Sequence, residues 1–483
     1  MSDLGLSPVS MASEFLTNRQ QKTGRQDFYW SAVDQASHAD GQQLLLDAIG
    51  RVIRQLTNEQ NAYELLCVIG EFQELSKKTD STLGQLLAEN DDFRMLSVLL
   101  EWSERCGHRT DEGFARHVFD ASDFLRIAEL RAETTVLLRQ RILTENGQPI
   151  GLTTDADMSE NDAKDVSAFF KVLFSLVRCG RLDEASQLCE HLGELAWDGL
   201  LSARMVNRDS AYTPLADEKS NAMWANRRRN FKQILAKMWT KMQDTMMPSA
   251  KLSLFATLGG RLRPLLDMAV TNEDRIWCLA NAAVEHMLDQ KLGVTINGLN
   301  EDVPSTVDEL AEIISLENDA SPYMHIYFFL PKGQVDACID YMYKWLAEHG
   351  DQASDHVVRF MANLVVIWRQ QKVDHEDEKG EAILKIYAQK LMSIGMPTLL
   401  PFYLSLLGDS DERLDHLTSA MDTITEQAER AEFLDNAAEA KLSISELTLS
   451  FVYEKIAHLR GVGKEAVTLG IRWARRRVGG YEW

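Results

Sequence analysis

The sequence predicts an all-α fold, an irregular helical solenoid, on three observations. Nearly every apolar segment repeats with a period of 3.6 residues and not 2. Helix breakers are scarce, with 10 Pro and 27 Gly in 483 residues. Strand signals are almost absent: Asn146-Gly147 and Asn297-Gly298 stand in polar linkers, without the alternating runs that flank a hairpin.

Taken in order, Leu45, Ala48, Ile49, Val52 and Leu56 form a first helical stripe. The stretch Phe169 to Val177 is apolar nearly all round and reads as a buried helix. Thr306-x-x-Glu309 and Ser443-x-x-Glu446 are capping boxes, each opening an apolar helical run. Val335, Cys338, Ile339, Met342, Trp345 and Leu346 form another stripe, and Val357, Met361, Leu364 and Trp368 a further one. About 18 to 22 helices are expected. Polar linkers are expected near residues 1–25, 143–162, 206–219, 291–305, 317–323, 349–354 and 371–380. No fixed-period repeat stands out, and the tetratricopeptide and ankyrin signatures are missing. Antiparallel helix pairs that bury their stripes on neighbouring layers satisfy this pattern.

Composition narrows the function. The net charge of −22 disfavours general binding to nucleic acid or anionic membrane. No apolar run reaches the length of a membrane span; Pro397 to Leu407 is the longest and carries two prolines. The N-terminus lacks a basic region followed by an apolar core, so no signal peptide is expected. Cys67, Cys106, Cys179, Cys189, Cys278 and Cys338 are dispersed in apolar helical contexts and read as reduced core thiols.

The search for chemistry finds no complete motif. Gly461-Val-Gly463-Lys464 suggests a phosphate loop, but the required first Gly is His458 and the residue after the Lys is Glu465. A helix cap and turn is the better reading. His375-Glu376 begins like a zinc-protease helix, but Lys379 stands where the second His belongs. The charged run Asp374 to Glu378 therefore reads as a solvated loop. Cys179, Cys189 and His191 lack metal-ligand spacing and read as two core thiols and a surface imidazole. No nucleophile elbow or Gly-rich fingerprint occurs. No catalytic, cofactor or metal site is expected, and the chain reads as a non-enzyme. The basic triplet Arg227-Arg228-Arg229 and the group Arg472, Arg475, Arg476 and Arg477 read either as solvated helix faces or as a local docking patch or import signal. Trp197, Trp224, Trp239, Trp277, Trp345 and Trp368 lie in helical stripes and read as core anchors.

The passage from Ala168 to Trp197, with Cys179-Gly, Leu182-Asp-Glu-Ala, Leu188-Cys and Gly193 in that order, resembles the nucleoporin 107 family, also called nucleoporin 84. Asn221-Ala-Met-Trp224-Ala-Asn-Arg227 is similar to the family's Asn-x-x-Trp-basic helix. Glu273-Asp-Arg-Ile-Trp277-Cys-Leu-Ala resembles a second family helix, although the first Trp of that motif is missing. His356-Val-Val-Arg-Phe360-Met-Ala-Asn-Leu364 resembles its Arg-Phe-x-Ala-His-Leu helix, with Asn363 in place of His. Ile386-Tyr387-Ala-Gln-Lys-Leu391 and Pro401-Phe-Tyr403-Leu resemble two more. The likeness covers roughly residues 160–455 and rests on order and spacing.

The resemblance implies a structural scaffold of the nuclear pore outer-ring (Y-shaped) complex at the nuclear envelope, supporting pore assembly and transport of mRNA and protein, with a further mitotic location at the kinetochore. It implies a trunk-and-crown element shared with vesicle-coat proteins: a flexible segment 1–25, a trunk 26–160, a crown 161–305 and a returning trunk 306–483. The crown is expected to meet a sister nucleoporin of the 96/145C type. Family members continue past the point where this chain stops, which implies a shortened form without the tail that docks nucleoporin 133. The absence of any Phe-Gly dipeptide fits a scaffold and not a permeability-barrier nucleoporin. Phe170, Phe174, Leu188 and Trp197, within the apolar-dense region 162–247, are the expected partner-binding anchors, with internal core the competing reading. The alternative function is another helical adaptor, a vesicle-coat or proteasome-lid-like subunit. A lid subunit closes with a strand-containing module, and no alternating pattern occurs in 440–483.

Overall fold

A computed structural model describes residues 39–109, 113–127, 130–133, 159–208, 217–242, 249–295, 302–315, 321–350, 352–372 and 377–460. Among them are twenty α-helices and no sheet, and about 80% of these residues are helical. The expected segment 1–25, His375-Glu376, Gly461 to Lys464 and the Arg472–Arg477 group lie outside the described residues. The chain divides into two units, residues 60–333 and residues 1–59 with 334–483.

The unit of residues 60–333 takes the second half of α1 (Ala39–Leu75), then α2 (Thr82–Glu89), α3 (Asp91–Gly107), α4 (Ala121–Phe124), α5 (Glu160–Arg178), α6 (Leu182–His191), α7 (Leu195–Arg208), α8 (Glu218–Met242), α9 (Ser249–Gly259), α10 (Arg263–Leu266), α11 (Asn272–Lys291), α12 (Val307–Ser315) and α13 (Pro322–Phe329). Side chains from Ile276 to Glu285 on α11 are all buried. Three of them are alanines, Ala280, Ala282 and Ala283, which let the neighbouring helices approach closely; α3 packs along α11 most extensively. Helix starts follow cap chemistry. The Asp162 N–H donates to Ser159 Oγ at 3.2 Å, Phe93 N–H to Asn90 Oδ1 at 2.9 Å, and Asp274 N–H to Thr271 Oγ1 at 3.1 Å. The helix expected at Phe169 to Val177 lies inside α5 and is buried except at Lys171.

Gly260 closes α9 with φ +73°, and the Arg261 N–H reaches back to Ala256 O at 2.8 Å. A Cβ on Gly260 would stand 2.8 Å from Glu285 Cβ, so glycine is needed for the approach as well as for the turn.

In the other unit, the first half of α1 joins α14 (Val335–His349), α15 (Asp355–Gln370), α16 (Asp377–Ser393), α17 (Leu400–Leu404), α18 (Ser410–Thr423), α19 (Gln427–Glu439) and α20 (Ile444–Arg460). Helix α15 is buried on all sides from Val357 to Trp368, more fully than its single predicted stripe required. Its polar residues are met individually. Arg359 pairs with Glu59, Nε to Oε1 at 3.0 Å, and Tyr403 Oη donates to Asn363 Oδ1 at 3.0 Å. Two expectations are corrected. The Asp374 to Glu378 run is not wholly loop, because α16 begins at Asp377. Leu56, assigned to a core stripe, is exposed on α1 beside exposed Ile53.

Candidate protein-interaction face

The four expected anchors are interior residues of the unit 60–333. Phe170 is 1% exposed, and Phe174, Leu188 and Trp197 are likewise buried. Phe170 stands between Phe169 and Trp197, with ring centroids 5.2 Å away in both directions, and Trp197 continues to Phe255 at 4.7 Å. Phe174 contacts Phe114 at 5.0 Å and Trp277 at 6.1 Å. These edge-on and tilted contacts weld α5, α7, α9 and α11 together. Leu188 is buried on α6. Two of the four, Phe170 and Trp197, therefore touch, and none offers its side chain to a partner in this conformation.

The outward surface of the same region lies on α8. Trp224, Arg228, Phe231, Lys232, Leu235 and Trp239 form its buried face. On the other side Lys219, Met223, Arg227, Asn230, Ile234, Lys237 and Lys241 are exposed at spacings of three and four, one continuous stripe. Met223 and Ile234 are each 51% exposed. Lys219, Arg227, Lys237 and Lys241 have no ion-pair partner within 4 Å among the described residues, which gives the stripe four exposed cations on a chain of net charge −22.

The basic triplet is split by this geometry. Arg227 faces solvent, Arg229 is half-buried with Nη1 donating to Asn226 Oδ1 at 2.8 Å, and Arg228 is fully buried. Neither expected reading, a solvated face or a docking patch, describes Arg228. Its Nη2 donates to Glu285 Oε2 at 2.7 Å and its Nε to Asp289 Oδ1 at 2.5 Å. Lys232 Nζ donates to the same Glu285 oxygen at 2.6 Å and to Gly259 O at 3.1 Å. Arg204 of α7 lies 3.7 Å from Glu285 Oε1 and donates to Asn281 Oδ1 at 2.6 Å. Burial opposes ionisation of Glu285 most strongly. Lys232, Arg228 and Arg204 together outweigh it and hold the carboxyl well below the usual range. The network clamps α8 to α11, so the exposed stripe is presented from a fixed helix.

The signal for the stripe was in the sequence as the polar complement of the α8 core period. Apolar anchors drew attention to the side that the fold buries. The remaining aromatic expectations divide: Trp224, Trp239, Trp277 and Trp368 are buried, while Trp345 is half-buried and stacks on His349 at 5.0 Å. Cys67 is exposed on α1, unlike the core thiol expected; the other five cysteines are buried. Cys179 and Cys189 are buried, and His191 is exposed with Nε2 3.0 Å from Ile127 O. Among the described residues no group of three His, Cys, Asp or Glu is placed to hold a metal ion, and no helix is long and apolar enough to cross a membrane.

Comparison with known proteins adds an independent line. A family model described as Nuclear pore protein 84 / 107 matches residues 71–465. Nuclear pore complex protein Nup107 of Homo sapiens is 22% identical over 405 residues, covering 77% of this chain and 42% of that protein. The protein of the same name in Mus musculus is 24% identical over 409 residues, with 77% and 42% covered. That of Drosophila melanogaster is 21% identical over 409 residues, with 78% and 47% covered. The chain thus spans less than half the length of these curated relatives.

Proposed function

This chain belongs to the nuclear pore protein 84 / 107 family, and on that premise we propose that it is a scaffold nucleoporin of the pore's outer-ring complex, working by protein contact without catalysis or a cofactor. The observation that carries the reading is the family match over most of an all-helical chain. Its place is the nuclear pore at the nuclear envelope, in support of mRNA and protein transport; a kinetochore role belongs to the same proposal. Residues 26–160 and 306–483 serve as trunk and 161–305 as crown.

Within the crown the outward α8 stripe, centred on Met223 and Ile234, meets the sister nucleoporin of the 96/145C type. Phe170, Phe174, Leu188 and Trp197 act from beneath, by stiffening the layer that carries α8. A stable contact needs about 800 Å² per side, with an apolar centre and a polar rim. Two half-exposed apolar residues flanked by cations meet that description in outline and call for an acidic rim on the partner.

The test is affinity purification of the tagged chain from cell extract, followed by mass spectrometry, in parallel for the parent and for Ile234→Asp. Recovery of outer-ring nucleoporins by the parent, with loss of the 96/145C type from the variant, supports the proposal. Recovery of vesicle-coat or proteasome-lid subunits instead would overturn it in favour of another helical adaptor.

A further inference from the structure

A second surface, separate from α8, lies between the C-terminal end of α1 and helices α2, α3 and α6. It is a cavity of about 360 Å³, open on one side, within the range of pockets that accept a few side chains. Phe72, Leu75, Leu83 and Leu182 line it and are only half-buried, so the apolar wall is accessible. Ser97, itself nine-tenths buried, lines it too, and its Oγ has no hydrogen-bond partner among the described residues.

The charge around this wall is one-sided. Glu71, Glu101, Glu104 and Asp183 line the cavity against a single cation, Arg105. That cation is already engaged: its Nη2 donates to Glu71 Oε2 at 2.6 Å and its Nε to Glu101 Oε1 at 2.9 Å. Asp183 is exposed and has no ion-pair partner among the described residues. Neighbouring Cys67 senses the same field: burial first, then Glu64 and Glu71, push its thiol up. An anionic ligand, whether nucleic acid or lipid headgroup, is repelled by this rim.

We propose that this groove is a docking site for a protein segment that inserts apolar side chains between α1 and α2 and sets a Lys or Arg against Asp183 and Glu101. The apolar wall supplies the area, and the net negative rim, with Asp183 exposed and Glu101 shared with Arg105, selects the sign of the flanking charge. The site is independent of α8, so this proposal and the crown reading stand or fall separately.

The probe is a labelled twelve-residue synthetic peptide with Leu on one helical face and Lys on the other, titrated with the full chain by fluorescence anisotropy at about 0.1 M salt. Its control is the same peptide with Glu in place of Lys. The rim pair Asp183→Asn with Glu101→Gln, and separately Leu83→Lys, weaken binding roughly tenfold or more. The pair Glu429→Gln with Asp435→Asn removes the same charge from exposed carboxylates that do not line the groove and changes binding less than about twofold. Circular dichroism checks that each variant is folded. The rim pair keeps the test sound if Leu83→Lys unfolds. The proposal is overturned by equal binding of all variants, by equal binding of the Glu peptide, or by no saturable binding of the Lys peptide.

Discussion

Lys232 Nζ and Glu285 Oε2 lie 2.6 Å apart in a site where neither side chain is more than 4% exposed. The two residues lie 53 apart in sequence, on α8 and α11. Removing two charges from water is costly, and this site tolerates it because Arg228, Asp289, Arg204, Asn281 and Gly259 O supply further contacts.

Glu285→Gln leaves Arg228 and Lys232 with Asp289 and removes the carboxylate 3.7 Å from Arg204. The expected loss is about 3–5 kcal/mol, read from denaturant unfolding. The carboxyl of Glu285 is depressed in the folded state, so its stabilisation is complete above the unfolded value of about 4.3 and erodes as pH falls toward the folded value. The gap between parent and variant is therefore constant from pH 5 to 8 and narrows below about pH 4. A gap that widens in acid contradicts the assignment.

Glu59→Ala breaks the buried pair with Arg359, 300 residues away in sequence. A buried guanidinium that loses its carboxylate costs about 3–5 kcal/mol, whereas Glu59→Met with Arg359→Met recovers much of the loss. Thermal melts of the single and double variants provide the check. A double variant no better than the single one argues against desolvation as the cause.

Phe170→Asp and Trp197→Asp bury a carboxylate among aromatic rings and lower the melting temperature sharply, if the chain folds at all. Ile234→Asp on the exposed stripe leaves melting within about 2 °C of the parent, as a surface change of at most about 0.5 kcal/mol does. If the proposed α8 contact holds, the same substitution weakens binding of the sister nucleoporin more than a hundredfold, the effect of an unpaired carboxylate in an apolar interface centre. Melting and binding measured side by side separate core from interface.

Gly113→Ala places a methyl group 2.1 Å from Asp274 Oδ2, at a backbone φ of +58°. That oxygen accepts from Phe114 N–H at 2.9 Å, while Asp274 Oδ1 accepts from Arg178 Nε at 2.9 Å. The substitution disturbs a loop contact and a buried ion pair together, and about 2–4 kcal/mol is expected. Chemical denaturation measures it.

Thiol labelling at pH 8 should proceed first at one described position, exposed Cys67, and more slowly than at a free thiol because burial, Glu64 and Glu71 push it up. The other five are buried, with Cys106, Cys189 and Cys338 pushed up to about 12 and Cys179 to about 11 by burial. Two or more fast-reacting thiols in the native chain contradict this packing.

The sequence by itself determined the helical class, the two capping boxes at Thr306 and Ser443 and the family. These rest on local physics: a 3.6 period, a Ser or Thr cap and a Gly stop are readable within one or two turns of chain. The Thr306 and Ser443 hydroxyls accept from Glu309 and Glu446 N–H as the capping boxes require. Only the tertiary structure decided which side of each helix is interior. Phe170 and Trp197 share the composition of interface anchors but close on each other and on Phe255. Arg228 lies between exposed Arg227 and half-buried Arg229 yet is buried, because α11 brings Glu285 and Asp289 to it from about sixty residues away. Cys67 sits in an apolar run and still faces outward. Periodicity fixes the angle between residues on one helix, whereas burial depends on which distant helix arrives beside it, and that pairing is written in no local window of the chain.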